Sequence, residues 1–141
     1  MAHDTGQETL AEAHELSRRM LQVADLTRSV FGALAAEFDL TAVQARAVLR
    51  MYEPTPMRAL AEHLSCDASN VTGIADRLEQ RGFAERVVGS DRRVILLQLT
   101  DRGRRTRRAL AERVGAGSVV TAKLSPTERR HLGRLLDKML G

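Results

Sequence analysis

Residues 57–99 constrain the fold more than any other stretch of this chain. The segment MRALAEHL, at 57–64, places apolar side chains at i, i+3, i+4 and i+7, which predicts a short helix with one apolar face. Thr55 is the expected N-cap of this helix and Pro56 its expected first residue. A second helix is predicted between Asp67, as the N-cap, and Gly82, as the terminating residue. Two short helices joined by a tight turn are a candidate helix-turn-helix.

The second predicted helix has two chemically different faces. Its expected buried stripe consists of Val71, Ile74, Ala75 and Leu78. The residues off that stripe are Ser69, Asn70, Thr72, Gly73, Asp76 and Arg77. Asparagine can pair with adenine and arginine with guanine, and a glycine leaves a bare spot where a flat partner can approach closely. An ordinary solvated helix face would carry similar residues, so this face alone leaves both interpretations open.

Two β-rich runs follow, FAERVV at 83–88 and VILLQL at 94–99, and GSDRR joins them. Short apolar runs around a Gly/Ser/Asp turn predict a β-hairpin. Its tip carries Arg92 and Arg93 beside Asp91, whose carboxylate is expected to hold the arginine pair through a bidentate bond. A narrow DNA minor groove attracts inserted arginines. A recognition-type helix followed by an arginine-tipped hairpin is typical of a winged helix-turn-helix, so the DNA-binding interpretation becomes the stronger one.

At these residues the chain resembles the MarR family of transcription regulators. The resemblance extends over roughly residues 10–140 and rests on four segments: LTAVQARAVL at 40–49, CDASNVTGIADRLEQRGFAER at 66–86, DRR at 91–93 and LQLTDRG at 97–103. The turn between Arg86 and Asp91 is shorter than is usual in that family, which bears on the reach of the wing.

The resemblance implies a mainly α fold with a small β-hairpin wing, a winged helix-turn-helix flanked by N- and C-terminal dimerisation helices. It implies a sequence-specific regulator, most simply a repressor that binds a pseudo-palindromic operator as a homodimer. It also implies a small-molecule effector held between the dimerisation helices and the DNA-binding lobe. We therefore expect one domain over residues 1–141, with dimerisation helices at 8–38 and 101–141 and a DNA-binding lobe at 40–99.

The first helix is expected from about Glu8 to Glu37, after a loose terminus at residues 1–7. Thirty helical residues would span about 45 Å, which is longer than a small domain is wide. The projecting part needs cover. A curved helix could wrap round a single core, but a second copy of the chain is the simpler cover.

Three more helix starts carry capping signals, and these are Thr41 with Gln44, Thr100 alone, and Ser125 with Pro126 and Glu128. Gly115 and Gly117 indicate a bend or a helix end after Val114. The helix that follows the hairpin is crowded in its first two turns by Arg104, Arg105, Arg107 and Arg108. Phosphate contact and an ordinary solvated face explain these arginines equally well.

Charge is unevenly distributed along the chain, whose formal net charge is +4. Residues 1–66 hold six Arg and nine acidic residues, a net −3, whereas residues 67–141 hold 16 basic and nine acidic residues, a net +7. The basic half begins at the predicted recognition helix, which favours a polyanionic partner such as double-stranded DNA. Arg supplies 20 of the 22 basic residues, but GC-rich codons would produce the same bias.

Little in the sequence suggests other chemistry. It lacks a nucleophile–base pair, a glycine-rich phosphate loop and an HExxH motif, so neither an enzyme nor a cofactor is expected. His63 and Cys66 have metal-compatible spacing, but structural metal sites need four ligands. Cys66 could be a redox switch, although a buried and inert thiol is the simpler interpretation. Without a membrane-length apolar run or a signal-like N-terminus, a cytoplasmic protein with no membrane partner is expected.

The main alternative function is that of a winged helix that binds a protein and never touches DNA. Tight and salt-dependent binding to duplex DNA would separate the two. Under the DNA-binding interpretation, the expected contact residues are Ser69, Asn70, Thr72, Gly73, Arg77, Asp91, Arg92, Arg93 and Arg104.

Overall fold

The computed structural model describes residues 2–66 and 68–141 of the chain. In chain order its elements are α1 (Ala2–Ala36), α2 (Ala42–Arg50), β1 (Thr55–Pro56), α3 (Met57–Leu64), α4 (Ala68–Gln80), β2 (Ala84–Val88), β3 (Ile95–Leu99), α5 (Asp101–Gly117), α6 (Val119–Lys123) and α7 (Pro126–Leu140). A mainly helical chain with a small antiparallel sheet confirms the predicted fold class. The predicted N-cap Asp67 lies outside the described residues.

Side-chain caps begin three helices where the sequence predicts them. Thr41 and Gln44 form a reciprocal capping box at α2, in which the backbone N–H of Gln44 donates to Thr41 Oγ1 at 3.2 Å. Ser125 and Glu128 form a second box at α7, and Thr100 caps α5. Each cap satisfies backbone N–H groups that have no partner inside the helix, so the sequence signal has a direct physical cause.

Two predicted helix ends are also confirmed. Gly82 follows α4 with φ +75°, a left-handed conformation that favours glycine, and its N–H donates to the Glu79 carbonyl at 2.9 Å. The helix α5 ends at Gly117. The sequence pattern did not predict the short helix α6, which begins after its N-cap Ser118.

The wing belongs to a three-stranded antiparallel sheet with the strand order β1-β3-β2. Strands β2 and β3 pair from Ala84 opposite Leu99 to Val88 opposite Ile95, which confirms the predicted hairpin.

The predicted start of α3 was wrong, because Thr55 is not its N-cap and Pro56 is not its first residue. Thr55 pairs with Leu97 in the sheet instead. The Thr55 hydroxyl donates to the Glu53 carbonyl at 2.9 Å, and Pro56 precedes the helix without a side-chain cap. The backbone of residues 55–56 therefore pairs with β3. A local capping pattern cannot reveal this pairing, because β3 lies about 40 residues further along the chain.

The core lies within residues 40–99 and is closed by the end of α1 and by α5. The end of α1 supplies Leu34 and Ala35, and α5 supplies Leu110. The other buried apolar side chains are Leu40, Ala45, Ala47, Val48, Met51, Leu60, Ala61, Leu64, Val71, Ala75, Leu78, Phe83, Ala84, Leu97 and Leu99. Helices α2, α3 and α4 and strands β2 and β3 all contribute, so most of the core comes from this part of the chain.

The helix α1 begins at Ala2, so the prediction of a loose terminus up to residue 7 was wrong for the described residues 2–7. Its 35 residues span about 52 Å, and most of that length lies beyond the core. The helix leaves large apolar side chains exposed at Leu10, Leu16, Met20, Leu21, Val23 and Leu26. On α7 the same holds for Leu135, Leu136, Met139 and Leu140. None of the helices in residues 2–66 and 68–141 is long and apolar enough to cross a membrane.

Candidate nucleic-acid interface

The helix α4 buries one face and exposes the other, as its sequence predicts. Val71, Ala75 and Leu78 are at most 2% exposed and anchor the helix in the core, while Ile74 is half-buried. The residues predicted to face a nucleic acid are all exposed, and these are Ser69, Asn70, Thr72, Gly73 and Arg77. A Cβ added at Gly73 would have no neighbour within 4 Å, which confirms a bare spot in the middle of this face.

Asp76 lies on the same helix but is engaged by the wing. Its carboxylate accepts from Arg86 Nη2 at 2.7 Å, and the other terminal nitrogen of Arg86 donates to Glu79. The hydrogen bond with Asp76 and the charge of Glu79 raise the pKa of Arg86 above its ordinary value. Arg86 lies on β2, so this bracket fixes the wing against the recognition helix. Spacing did not predict the bracket, because its partners lie on different elements.

The wing tip presents Asp91, Arg92 and Arg93 as exposed side chains. The Arg93 backbone N–H donates to Asp91 Oδ1 at 3.1 Å, and the Val94 N–H donates to the Asp91 carbonyl at 2.9 Å. Asp91 therefore shapes the turn through the backbone. The expected bidentate bond to an arginine side chain is absent among the described residues, where the Arg92 and Arg93 guanidinium groups remain available.

The start of α2 lies beside the recognition face, which the sequence pattern did not predict. A shallow groove of about 350 Å³ runs between α2 and α4. Its α2 side is formed by Thr41, Val43 and Gln44. Its α4 side is formed by Ser69, Asn70, Gly73, Ile74 and Arg77. The only signal in the sequence was the capping box at Thr41, which positions the helix start without indicating what lies opposite.

The family model described as the MarR family matches residues 40–95, the segment that contains the helix-turn-helix and most of the wing. The solved structure of a cysteine-to-serine mutant of MarR from E. coli, in complex with operator DNA, is 27% identical and superimposes with a TM-score of 0.76. That comparison covers 92% of this chain and 96% of the other.

The chain resembles the MarR family, whose model matches residues 40–95, and its fold is similar to that of MarR from E. coli.

Two further relatives agree with this assignment. The transcriptional repressor CouR, solved on a 23-mer DNA duplex, is 28% identical with a TM-score of 0.74, over 94% of this chain and 95% of CouR. An uncharacterized HTH-type transcriptional regulator of Bacillus subtilis, YfiV, is 28% identical over 118 residues, which are 79% of this chain and 74% of YfiV. The predicted resemblance to the MarR family is therefore confirmed.

Arg104 stands apart from the other predicted contact residues. It lies in the first turn of α5, at the end of β3 opposite the wing tip. Its guanidinium donates to the Leu99 carbonyl at 2.8 Å and pairs with Asp101. The structure thus brings the residues of α4 together on one face, places the wing arginines beside it, and leaves Arg104 at the base of the wing.

A second cavity of about 570 Å³ lies where α1, α2, α5 and α6 meet. Its apolar lining residues are Val30, Phe31, Leu34, Ala42, Val114 and Val119. Arg28 and Arg46 stand at its edge with Thr27 and Ser118. The cavity lies between the long helices and the lobe, which is where the family resemblance implies an effector.

Cys66 is half-buried and packs against the core at the end of α3. Its backbone N–H donates to the Ala61 carbonyl at 3.0 Å, which closes the turn before α4. Within residues 2–66 and 68–141, no group of three or more His, Cys, Asp or Glu side chains is arranged to hold a metal ion.

Proposed function

We propose that this protein is a DNA-binding transcription regulator that binds a pseudo-palindromic operator as a homodimer and acts as a repressor. The observation that carries the proposal is the exposed face of α4, with its bare Gly73 and flanking arginine-tipped wing, in a chain whose relatives have been solved on DNA. Such a regulator works in the cytoplasm and needs neither a cofactor nor a membrane.

The recognition helix reads base edges in the major groove. Asn70 and Arg77 supply the side chains best suited to adenine and guanine, and Ser69 and Thr72 add short hydrogen-bonding groups. Gly73 lets the helix backbone approach the bases closely. The start of α2 lies next to this face and is placed to contact the phosphates that border the groove.

The wing supplies contacts outside the major groove. Arg92 and Arg93 are exposed at a turn that Asp91 and Val94 shape through the backbone. Inserted arginines bind a narrow minor groove because its negative potential is enhanced. The bracket of Arg86 with Asp76 and Glu79 fixes the position of this wing relative to α4. Arg104 remains a predicted phosphate contact, but a weaker one, since its guanidinium already has two partners in the chain.

A second copy of the chain covers the exposed apolar side chains of α1 and α7. Exposed Leu, Met and Val side chains along 17 residues of α1, from Leu10 to Leu26, are unfavourable in water unless a partner buries them. In a two-fold dimer each α4 enters one major groove, so the operator half-sites lie one helical turn, about 10–10.5 bp, or a multiple of it apart.

The cavity at the junction of α1, α2, α5 and α6 is the proposed effector site. Its apolar lining together with Arg46 suits a small, largely apolar molecule that carries a negative charge, while Arg28 is already paired with Asp25. Because α1 and α5 belong to the dimerisation helices and α2 to the lobe, a ligand there can change the distance between the two recognition helices.

The test begins with selection of bound fragments from the source genome, which gives the operator. Operator and scrambled duplexes are then titrated at matched salt with Asn70→Ala and Arg77→Ala, and with Gln22→Ala as an exposed control on α1, outside the lobe. Base-reading residues should lose about 1–3 kcal/mol on the operator and little on the scrambled duplex. Equal losses on both duplexes would mean that α4 rests on the backbone without reading sequence.

The wing is tested by the salt dependence of binding. The double variant Arg92→Ala/Arg93→Ala should weaken binding to both duplexes and flatten the slope of log K against log salt by about two, since each phosphate contact contributes close to one. Wild-type affinity at every salt concentration would remove the wing from the interface. A wild-type protein that selects no duplex at all would favour a winged helix that binds a protein partner.

A further inference from the structure

An arginine-lined groove lies at the base of the wing, where the end of α2 meets the first two turns of α5. Its volume is about 390 Å³, which is within the usual range for small-ligand sites. The residues that line it are Met51, Tyr52, Asp101, Arg104, Arg105, Arg107 and Arg108. Four of these seven are arginines and one is acidic, and that acid, Asp101, is paired with Arg104.

Two of the four arginines are fixed in place by the chain itself. Arg104 donates to the Leu99 carbonyl at 2.8 Å, and Arg107 Nε donates to the Leu49 carbonyl at 3.0 Å. The Arg107 guanidinium also lies 5.9 Å from the centre of the Tyr52 ring, and Arg50 lies 5.5 Å from it. These contacts make rigid walls, because each guanidinium is held to a different neighbouring element.

Arg105 and Arg108 are different, because among the described residues neither has an ion pair or a side-chain hydrogen bond. They lie three residues apart on one helix and therefore face the same side of it. Like charges at this spacing repel each other. The arrangement costs stability in the empty protein, and a bound anion would remove that cost.

The groove is not continuous with the proposed DNA-binding face. Strand β3 separates it from the wing tip, since Ile95 lies next to the tip and Leu99 next to α5. Five residues of strand place the two ends about 13 Å apart. The exposed face of α4 borders the start of α2, from Thr41 to Gln44. The arginine-lined groove lies at the other end of α2, beside Met51 and Tyr52.

We propose that this groove is a binding site for a small, multiply charged anion of the phosphate type, separate from the exposed face of α4, from the wing tip and from the effector cavity. Arg105 and Arg108 bind the anion, and Arg104 and Arg107 form the walls that position it. Guanidinium groups donate paired hydrogen bonds that match phosphate oxygens, which makes such an anion the best fit to four arginines.

The test uses the full-length protein and inorganic pyrophosphate as the probe. Calorimetric titration should show one pyrophosphate per chain, and the thermal unfolding midpoint should rise above that in sodium chloride of the same ionic strength. In Arg105→Gln/Arg108→Gln, pyrophosphate binding should weaken by about tenfold or more, because charge-assisted hydrogen bonds are lost. Without pyrophosphate this variant should unfold at a higher temperature than wild type, because repulsion is relieved.

The wing variant Arg92→Gln/Arg93→Gln is the matched control, since it also removes two exposed arginines. It should lose operator affinity and keep pyrophosphate binding, whereas Arg105→Gln/Arg108→Gln should do the reverse. If the glutamine variant of the groove does not fold, Arg105→Lys/Arg108→Lys keeps the charge and removes the guanidinium geometry, and it should still weaken pyrophosphate binding.

Three results would overturn the proposal. The first is the absence of pyrophosphate binding by wild type at matched ionic strength. The second is an equal loss of pyrophosphate binding in the wing variant, which would indicate unspecific charge attraction. The third is a loss of operator and scrambled-duplex affinity in Arg105→Gln/Arg108→Gln, which would assign the groove to the DNA interface. The proposed DNA-binding function stands or falls separately, because wild-type operator binding is measured without pyrophosphate.

Discussion

The lobe of residues 40–99 and the two terminal helices use their apolar side chains in opposite ways. In the lobe, Leu60, Leu78 and Leu97 are fully buried, so this part of the chain closes its own core. On the terminal helices, Leu10 is 70% exposed and Met139 is 60% exposed. The apolar side chains of the lobe are thus buried within one chain, whereas those of α1 and α7 are buried only if another surface covers them. Under the proposed function, this difference separates the part of the chain that contacts DNA from the part that joins two copies.

The largest effect is expected where charge is placed on the exposed apolar face of α1. Leu16 and Val23 lie two helical turns apart on one side of the helix. If a second copy buries both, Leu16→Glu/Val23→Glu should weaken the dimer by about 3–6 kcal/mol, and the lobe should keep its fold. Sedimentation equilibrium measures the assembly, and Gln22→Glu, on another side of α1, is the control. A dimer that is as stable in the double variant as in wild type would show that this face of α1 is not buried by a second copy.

The next effect belongs to the lobe and its junction with α5. Gly103 is buried in the first turn of α5, and a Cβ added there would collide with the Phe83 carbonyl oxygen and press on Leu99. Gly103→Ala should therefore reduce the free energy of unfolding by about 3 kcal/mol, because backbone has to move. Urea denaturation measures this loss. Wild-type stability would mean that the close contact between α5 and the wing base is not part of the folded state.

Gly73→Ala should separate function from stability within the same lobe. The added methyl group meets open space in the free protein, and alanine favours the helix by about 0.8–1 kcal/mol, so the variant should be slightly more stable. The same methyl group would stand between α4 and the bases, and operator affinity should fall by about tenfold, or 1.4 kcal/mol. Denaturation and operator titration are read together. Unchanged affinity would show that the bare spot has no role in DNA binding.

The smallest effect concerns the ion pair that joins the end of α1 to α5. Arg113 forms two hydrogen bonds of 2.8 Å to the Glu37 carboxylate, and they hold the pKa of Glu37 below its ordinary value of 4.5. A lowered pKa in the folded state adds stability above pH 4.5 and loses it as the pH falls through the folded value. Glu37→Gln should thus be slightly less stable than wild type at neutral pH, and the difference should vanish in acid.

Stability is measured from pH 7 down to pH 3, and Glu12→Gln is the control because Glu12 has no ion pair among the described residues. A difference between wild type and Glu37→Gln that persists at the lowest pH would contradict the ion pair as its cause.

Local signals predicted three of the helix starts and the exposed face of α4. The cap residues Thr41, Thr100 and Ser125 satisfy backbone groups of their own helices, so neighbouring sequence suffices to find them. The exposed face of α4 followed in the same way from helical periodicity.

Features that depend on distant partners were not predictable. Thr55 pairs with Leu97, far along the chain, and no pattern within a window of a few residues marks that pairing. The bracket of Arg86 with Asp76 and Glu79 and the position of Arg104 at the wing base likewise depend on how elements pack. The types of residue at the site can be read from the sequence. Which of these side chains already have partners within the chain depends on tertiary structure.

The most direct test of the central claim is the mass of the protein bound to its operator. Native mass spectrometry of the wild-type protein with a duplex that carries the full pseudo-palindrome should show two chains, each of 15.6 kDa, on every duplex. A duplex with one half-site scrambled should bind more weakly, because only one recognition helix finds its sequence. A single chain that binds the full operator with undiminished affinity would contradict the account, since α1 and α7 would then need no second copy.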